Sequence, residues 1–161
     1  MTDYKLCDGL SATELVCRCG TCEYSDPAII KYVVKPELIE KYYELRKFLG
    51  IPIGISRGVS CEEHHKNIYK KRYGDKWEKH YTPNSAHLCI NGFFSGIDTY
   101  PLMNDFIFYE KAAIYFRFSG VIRYMKNIGG IYVSRFVHLD VMHRPKHPHV
   151  YWPSEPSYYS D

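Results

Sequence analysis

The sequence predicts an α+β fold, with a small antiparallel sheet flanked by helices, on three observations. Residues 35–49, KPELIEKYYELRKFL, repeat apolar side chains at the spacing of an amphipathic helix that begins at Pro36 and ends at Gly50. The runs IPIGIS (51–56) and IYVSRFVHLDV (131–141) are rich in β-branched residues and are typical of strands. Because helical and strand segments are segregated along the chain, they favour the α+β class.

The segments between these elements carry weaker patterns. Residues 61–80 are highly charged and predict a helix that is broken near Gly74. Residues 87–101 contain glycines and aromatics and predict a strand with a loop or bulge. Residues 106–124 are rich in aromatic side chains, and we interpret this segment as a mostly helical part of the core.

The two ends of the chain are expected to be less regular. Residues 1–30 are polar and carry cysteines, with one helical turn after Ser11, a capping residue that has Glu14 three positions later. Residues 142–161 form a tail rich in proline and aromatic residues, which we expect to be extended.

The composition is that of a globular protein and argues against two classes of partner. The chain has 161 residues, 45% of them hydrophobic and 24% charged, which predicts one domain over residues 1–161. A net charge of +3 is too small to indicate nucleic-acid binding, and no apolar run has the length of a membrane span. No signal peptide is visible, so we expect synthesis in the cytoplasm and reduced cysteines. We also expect the protein to be a monomer.

Two stretches, NSAHLCINGFFSGID and SRFVHLD, each pair a histidine with an aspartate. His87, Asp98 and His138 could supply two imidazoles and a carboxylate, a ligand set that suits a catalytic zinc ion with one position left for water. Alternate residues of a strand share a face, so His138 and Asp140 should look into the same cleft. One would bind the metal while the other orients or deprotonates its water. The alternative is that all four are unrelated, hydrogen-bonded structural residues.

The order of the motifs resembles that of the zinc D-alanyl-D-alanine carboxypeptidase family, which is grouped with lysostaphin and the hedgehog signalling domain. The branch found in phage endolysins and tail-associated hydrolases is the most similar. The resemblance covers nearly the whole chain and implies a hedgehog-like fold. The matching segments are ELVCRCGTC (14–22), LIEKYYELRKFLGIPIGIS (38–56), the Ser-x-His…Gly-x-Ala-x-Asp motif at Ser85, His87, Gly96 and Asp98, and GGIYVSRFVHLD (129–140).

The resemblance implies roles for the residues of the two histidine motifs. His87, Asp98 and His138 are, by this resemblance, the ligands of one catalytic zinc ion. Asp140 is the carboxylate that activates water or stabilises the site. Many relatives place their base three residues before the last histidine, and that position is Arg135 here, which cannot accept a proton.

The chain departs from the family pattern at two points. Asp98 follows His87 after a longer gap than in the family, so a loop or bulge must lie between them, and a substitute ligand at Cys89 or Asn91 stays open. The family's substrate-binding arginine is replaced by Val59. Arg57 lies two residues earlier and, on a strand, shares its face, so it is our candidate for holding the substrate.

Other residues are candidates for substrate and metal binding. Ser85 belongs to the first histidine motif and is a candidate for substrate binding. Trp152 could line a peptide or glycan groove, although it could equally pack on the core. A second, structural zinc ion could bind three thiolates and a fourth ligand, Cys7 or a histidine; the alternative is reduced, packed thiols. These thiolates belong to Cys17, Cys19 and Cys22.

The remaining histidines carry weaker signals. His64 and His65 match no zinc spacing and are expected on a helix surface, and no function is assigned to His143, His147 and His149.

Taken together, the resemblance implies a zinc metallopeptidase, a hydrolase of the peptide stem of bacterial peptidoglycan. It would be of D-Ala-D-Ala carboxypeptidase or L-Ala-D-Glu endopeptidase type, phage-associated, and would reach the cell wall after lysis or as a virion component. One alternative is a non-catalytic zinc-binding or wall-binding module on the same fold. Another is a metal-free α+β interaction domain with a tyrosine-rich surface.

Overall fold

Helices and strands occur in the mixed order that the sequence predicts. The computed structural model describes residues 4–144 and the backbone of residues 150–153. The helices of this part are α1 (Pro27–Val33), α2 (Pro36–Leu49), α3 (Glu62–Tyr73), α4 (Trp77–His80) and α5 (Phe106–Tyr115). Its strands are β1 (Lys5–Cys7), β2 (Leu10–Ser11), β3 (Ile53–Arg57), β4 (Gly96–Pro101), β5 (Gly120–Ile128), β6 (Ile131–Asp140) and β7 (Val150–Pro153).

The main sheet has five strands in the order β3-β4-β6-β5-β7. Its pairs are antiparallel except for β5 and β7, which run parallel. β1 and β2 form a separate two-stranded hairpin. The α+β class is therefore confirmed. None of the helices in the described part of the chain is long and apolar enough to cross a membrane.

The two faces of the main sheet differ in chemistry because side chains alternate along each strand. Ile97 of β4, Leu139 of β6 and Val121 of β5 are fully buried in the apolar core. The core also contains one face of α2 and of α5, including Leu38, Tyr42, Leu45 and Tyr109. The residues between them on the strands, among them Asp98 and His138, line a cleft on the opposite face.

Most elements lie where the sequence predicts them. α2 begins at Pro36, whose fixed φ suits a first helical turn, and it ends at Gly50, which has φ 65°. The charged segment is helical and is broken at Gly74, as the pattern predicts. Ser11 and Glu14 form a capping box around a short 3₁₀ turn.

Three expectations need correction. The helix predicted over residues 106–124 ends at Tyr115, and β5 begins at Gly120, because the later residues satisfy their backbone groups by pairing along β6. Residues 1–30 are more ordered than expected, since they contribute buried side chains such as Leu15 and a helix that begins at Pro27. The tail contains β7 (Val150–Pro153), whereas residues 145–149 and 154–161, with His147 and His149, lie outside the described residues.

Candidate metal centre

Strand pairing brings three of the sequence-predicted residues into one row. In the antiparallel register, Asp98 of β4 lies opposite His138 of β6 and also opposite Arg57 of β3. Ile122 of β5 continues the row, since it pairs with His138. The side chains of all four line the same cleft. Arg57 therefore lies on the cleft face, but the strand period does not explain this. Ile53 and Ile55, at the alternate positions of β3, lie in the core, and Val59 is buried in the core beyond the strand. A register irregularity between Ile55 and Arg57 interrupts the alternation at this point.

His87 reaches this row from the loop before β4. Its carbonyl oxygen accepts a hydrogen bond of 2.8 Å from the backbone N–H of Ser60. The loop closes behind it, because the carbonyl of Ala86 accepts from the N–H groups of Ser95 (2.8 Å) and Gly96 (3.0 Å). The histidine is thus fixed at the base of the loop.

The extra residues of this loop form a tight turn. Ile90 and Phe93 exchange two backbone hydrogen bonds, and the intervening Asn91 and Gly92 have φ values of 53° and 85°, a pattern that favours these two residue types. The long gap is therefore absorbed by a looped-out turn. Cys89 is not part of the metal-ligand group, and Asn91 is exposed and does not line the cleft.

The ring of His87 is oriented by a backbone carbonyl. Its Nδ1 lies 2.8 Å from the carbonyl oxygen of Gly58, which can only accept, so Nδ1 carries a proton. Its Nε2 lies 3.1 Å from Oδ1 of Asp98. The lone pair of a neutral His87 therefore faces a carboxylate oxygen, an unfavourable contact that a proton on Nε2, or a metal ion bound by both residues, would relieve.

His138 has the same arrangement with a different partner. Its Nδ1 lies 2.8 Å from the same Oδ1 of Asp98, and its Nε2 lies 3.2 Å from Oδ2 of Asp140. If Nε2–H donates to Asp140, the Nδ1 lone pair again points at Asp98. Metal-binding histidines characteristically donate their other ring N–H to a carboxylate or carbonyl, which is the geometry of both rings here.

Asp140 lies behind His138 and is saturated with hydrogen bonds. Its side chain is fully buried. Oδ1 accepts from the N–H of Met142 (2.9 Å) and from Nη1 of Arg144 (2.8 Å), while Oδ2 accepts from Nη2 of Arg144 at 2.6 Å. The sequence predicted that Asp140 and His138 would look into the same cleft, and this is wrong, because Asp140 contacts His138 but does not line the cleft. Its contacts are those of an orienting carboxylate.

Electrostatics at the centre favour two ionised carboxylates and a positive charge. Burial would raise the pKa of Asp98, but His87 and His138 outweigh it and hold this pKa well below its usual range. Burial lowers the pKa of His87. For His138 burial is outweighed by the hydrogen bonds to Asp140 and Asp98, which raise its pKa to about 9. The metal-free centre therefore binds a proton where its geometry suits a metal ion.

The donor set itself fits a zinc ion. One ligand atom from each of His87, Asp98 and His138 lies within 4.8 Å of the other two, and all three residues are buried. Two imidazole nitrogens and one carboxylate oxygen form a common catalytic zinc set that leaves a position open. The three residues can therefore hold a divalent metal ion at the floor of the cleft.

The cleft above these residues has a volume of about 580 Å³ and is basic and aromatic. Among the described residues that line it, Asp98 is the only carboxylate. Ser85 lines the cleft and its Oγ accepts a hydrogen bond of 3.4 Å from the N–H of His87. The basic and aromatic lining residues are Arg57, Arg72, Lys79, Arg144, Tyr69, Tyr73, Tyr124 and Phe136.

Arg57 is held in place by two neighbours that the sequence did not reveal. Its Nε and Nη2 donate to Oγ of Ser60 at 3.1 and 3.0 Å, and Nη2 also lies 2.6 Å from Nδ1 of His65. Burial, with the charge of Arg57, lowers the pKa of His65 to about 4, so the ring is neutral. Its Nε2–H donates to the carbonyl of Thr82. His65 was expected on a helix surface, but it is buried and positions Arg57.

Two of the other candidates lie apart from the centre or outside the described side chains. His143 is exposed and does not line the cleft. Trp152 lies in β7, where its backbone pairs with Ile122 of β5, but its side chain is outside the described residues.

A second group of potential ligands lies near the N-terminus. The Sγ atoms of Cys17, Cys19 and Cys22 converge as the sequence suggested, and the fourth member is Cys61. The sequence suggested Cys7 or a histidine as the fourth ligand. Cys7 is not part of this group, because it lies in β1, where its Sγ contacts the backbone carbonyl of Asp8. Sequence spacing could not reveal Cys61, which lies far along the chain at the beginning of α3.

Comparisons of this chain with protein-family models, with curated proteins and with solved structures give no match. The interpretation of the centre therefore depends on the geometry of its own residues.

Proposed function

We propose that this protein is a zinc-dependent peptidase that cleaves the peptide stem of bacterial peptidoglycan, of D-Ala-D-Ala carboxypeptidase or L-Ala-D-Glu endopeptidase type. The observation that carries the proposal is the meeting of His87, Asp98 and His138 at the floor of a cleft. In each histidine one ring nitrogen is held by an acceptor, and the other is directed at Asp98. The peptidoglycan substrate and the phage-associated role come from the resemblance in motif order, which includes these same three residues.

In this proposal, zinc is held by Nε2 of His87, Nδ1 of His138 and a carboxylate oxygen of Asp98. A zinc ion in such a site polarises a carbonyl and lowers the pKa of bound water to about 7. The protein's own contribution is to fix the ligands. Gly58 and Asp140 hold the outer ring nitrogens, so that neither ring can turn its lone pair away from Asp98.

The cleft walls support a substrate that carries a carboxylate or a strongly polarised carbonyl. Arg57 extends from the strand next to Asp98, and its guanidinium is fixed by Ser60 and His65. Arg144 also lines the cleft, but both of its Nη groups hold Asp140. Because Nε and Nη2 of Arg57 are engaged by Ser60 and His65, Nη1 is the group that Arg57 would present to a substrate carboxylate or carbonyl oxygen.

Asp140 fits a positioning role better than the proton-transfer role that the sequence suggested. Both of its oxygens are occupied. Burial would raise the pKa of Asp140, but the hydrogen bonds with His138 and with Arg144 outweigh it and hold this pKa below the ordinary value. Of the described cleft-lining residues outside the ligand trio, His80 carries an imidazole, a side chain that can both accept and donate hydrogen bonds. In this proposal Asp140 orients the ligands, and His80 is the candidate for proton transfer.

A second candidate function is a non-catalytic zinc-dependent binding module for the same wall polymer. The observation in its favour is that the described cleft residues include no carboxylate besides Asp98, so a strong general base is missing there. His80, which is exposed and stacked on Tyr73 with ring centroids 4.0 Å apart, would then be a binding residue.

The two functions are separated by incubating the zinc-loaded protein with purified sacculi and measuring both new peptide termini and bound protein. The peptidase gives newly released amino termini or free D-alanine, which are lost in His138→Ala. The matched control is His143→Ala, which changes an exposed histidine outside the cleft and should keep full activity. Binding to sacculi without release of either product by the wild type would contradict the peptidase and support the binding module.

A further inference from the structure

The four cysteines near the N-terminus approach one another from two separate parts of the chain. Cys17, Cys19 and Cys22 lie in one irregular segment, and Cys61 is the N-cap residue of α3. The Sγ atom of Cys19 lies 3.5 Å from that of Cys17 and 3.9 Å from that of Cys61. All four Sγ atoms lie within 4.8 Å of one another. A tetrahedral site with zinc–sulfur bonds of about 2.3 Å has sulfur atoms about 3.8 Å apart, so these separations are close to those of a tetrathiolate site.

Backbone N–H groups surround the sulfur atoms. Cys61 N–H donates to Sγ of Cys17 at 3.3 Å, Thr21 N–H to Sγ of Cys19 at 3.5 Å, and His64 N–H to Sγ of Cys61 at 3.4 Å. Sulfur is a weak acceptor as a thiol but a strong one as a thiolate. Three fixed N–H donors therefore lie where metal-bound thiolates would accept hydrogen bonds.

The segment that leads into Cys61 also builds the cleft. Gly58 accepts from His87, and Ser60 both donates to the backbone of His87 and accepts from Arg57. Val59, between them, donates a backbone hydrogen bond of 2.9 Å to Leu15, two residues before the first clustered cysteine. Residues 57–61 thus connect the cysteine cluster to the residues that orient His87 and Arg57.

The close approach at Gly58 strengthens this connection. A Cβ at Gly58 would lie within 2.7 Å of three backbone atoms of Leu15, so no other residue fits without displacement of the N-terminal segment. The two segments are therefore packed backbone against backbone at this point.

We propose that Cys17, Cys19, Cys22 and Cys61 form a structural zinc site, separate from the cleft, whose zinc fixes residues 57–61 and so positions the ligands at the cleft floor. The proposal does not depend on the peptidase activity, because it concerns a metal site that touches no cleft residue. Zinc is favoured over a harder cation because thiolates are soft ligands and four of them match its tetrahedral preference.

The first experiment measures zinc per chain by elemental mass spectrometry in purified single variants. Cys61→Ser and Cys19→Ser should each lose the one equivalent of zinc that the cysteine cluster binds. His138→Ala should lose the one equivalent that the cleft site binds. The double variant with both Cys61→Ser and His138→Ala should retain no zinc. The matched controls are Cys7→Ser and Cys89→Ser, which change free cysteines outside the cluster and should keep the wild-type content. Equal zinc in Cys61→Ser and in the controls would overturn the proposal.

A measurement on the wild type covers the case in which the cysteine variants fail to fold. A mercurial reagent is titrated into the zinc-loaded protein while zinc release is followed with a chelating dye. Release of one zinc in step with the modification of four thiols, after the two free thiols have reacted, is the expected result. Rapid reaction of all six thiols without zinc release, or recovery of the cluster as disulfides in freshly purified protein, would overturn it.

The coupling to the cleft has its own readout. In folded Cys61→Ser, the zinc affinity of the His87, Asp98 and His138 site should fall several-fold, whereas Cys89→Ser should leave it unchanged. Unchanged zinc affinity of the cleft site in both variants would overturn the claim that the cysteine site positions the cleft ligands. Whether the cysteines bind zinc at all is decided separately by the zinc content.

Discussion

Asp98 of β4 and His138 of β6 are directly opposed residues of adjacent strands, and their side chains meet with Nδ1 of the histidine 2.8 Å from Oδ1 of the aspartate. Such a pair could be a simple buried hydrogen bond. The outer nitrogen of His138 also faces a carboxylate, that of Asp140. In the metal-free protein a protonated His138 donates to both carboxylates, whereas a metal ion bound by Asp98 and His138 would replace the proton on Nδ1 and leave Asp140 to orient the ring.

The first prediction concerns Asp140→Asn. The change removes the charge that pairs with Arg144 and weakens the hold on His138, so zinc affinity at the cleft site should fall about 10- to 100-fold, the usual effect of losing such an orienting partner. Competition with a zinc-binding dye measures it. Asp75→Asn, at an exposed aspartate, is the control. Unchanged zinc affinity together with lost peptide release would instead assign the proton-transfer role to Asp140.

The second prediction is a pH dependence of the metal-free protein. His138 has a pKa of about 9 in the fold, above its ordinary value of about 6.5. Because protonation is favoured in the folded state, this stabilisation is complete below about pH 6.5 and is lost as the pH rises through about 9.

Urea unfolding of chelated protein across this pH range measures the effect. The free energy of unfolding should decline more steeply with pH in the wild type than in His138→Gln, which cannot be protonated. Zinc affinity should change in the opposite direction, rising with pH as the metal displaces the proton. Parallel stability profiles for the wild type and His138→Gln would exclude a protonated His138.

The parts of the fold that the sequence predicts well are those with a local signal. Pro36 and Gly50 mark the ends of α2, and Asn91 with Gly92 marks a turn through positive φ values. Residues 106–124 were mispredicted because their apolar side chains suit both periods. Only the long-range pairing of β5 with β6 decides that the strand begins at Gly120.

The candidate centre divides in the same way. His87, Asp98 and His138 were predictable because motif order carries them. The residues that support them could not be predicted. Arg144 holds Asp140, and His65 holds Arg57, and sequence spacing indicates neither contact. These contacts depend on tertiary packing, which brings residues from separate elements together.

The third prediction tests the substrate role of Arg57. Arg57→Lys keeps the charge but loses the planar fork held by Ser60 and His65. A hydrogen bond to a charged group contributes about 1.5–3 kcal/mol, so affinity for a carboxylate-terminated stem peptide should fall about 10-fold or more, with zinc content unchanged. Calorimetric titration measures it, beside Arg135→Lys at an exposed position of β6. Equal peptide affinities for both variants would remove Arg57 from the substrate site.

The last prediction uses Gly120, the first residue of β5, which lies opposite Asp140 of β6. A Cβ at Gly120 would collide with the carboxylate of Asp140, which is fixed by Arg144 and has no free space. Gly120→Ala should therefore displace this carboxylate and lower both the free energy of unfolding, by about 1–3 kcal/mol, and the zinc affinity of the cleft site.

Gly74→Ala separates this effect from backbone strain. Gly74 also resists substitution, since its φ is 54°, but a Cβ there meets no atom within 4 Å. This variant should lose about 1–3 kcal/mol of stability and keep its zinc affinity, because Gly74 contacts none of the metal ligands and does not orient them. Thermal unfolding and dye competition on both variants make the comparison. If Gly120→Ala keeps wild-type zinc affinity despite lower stability, the position of Asp140 does not control the metal ligands, and His138 is oriented by other contacts.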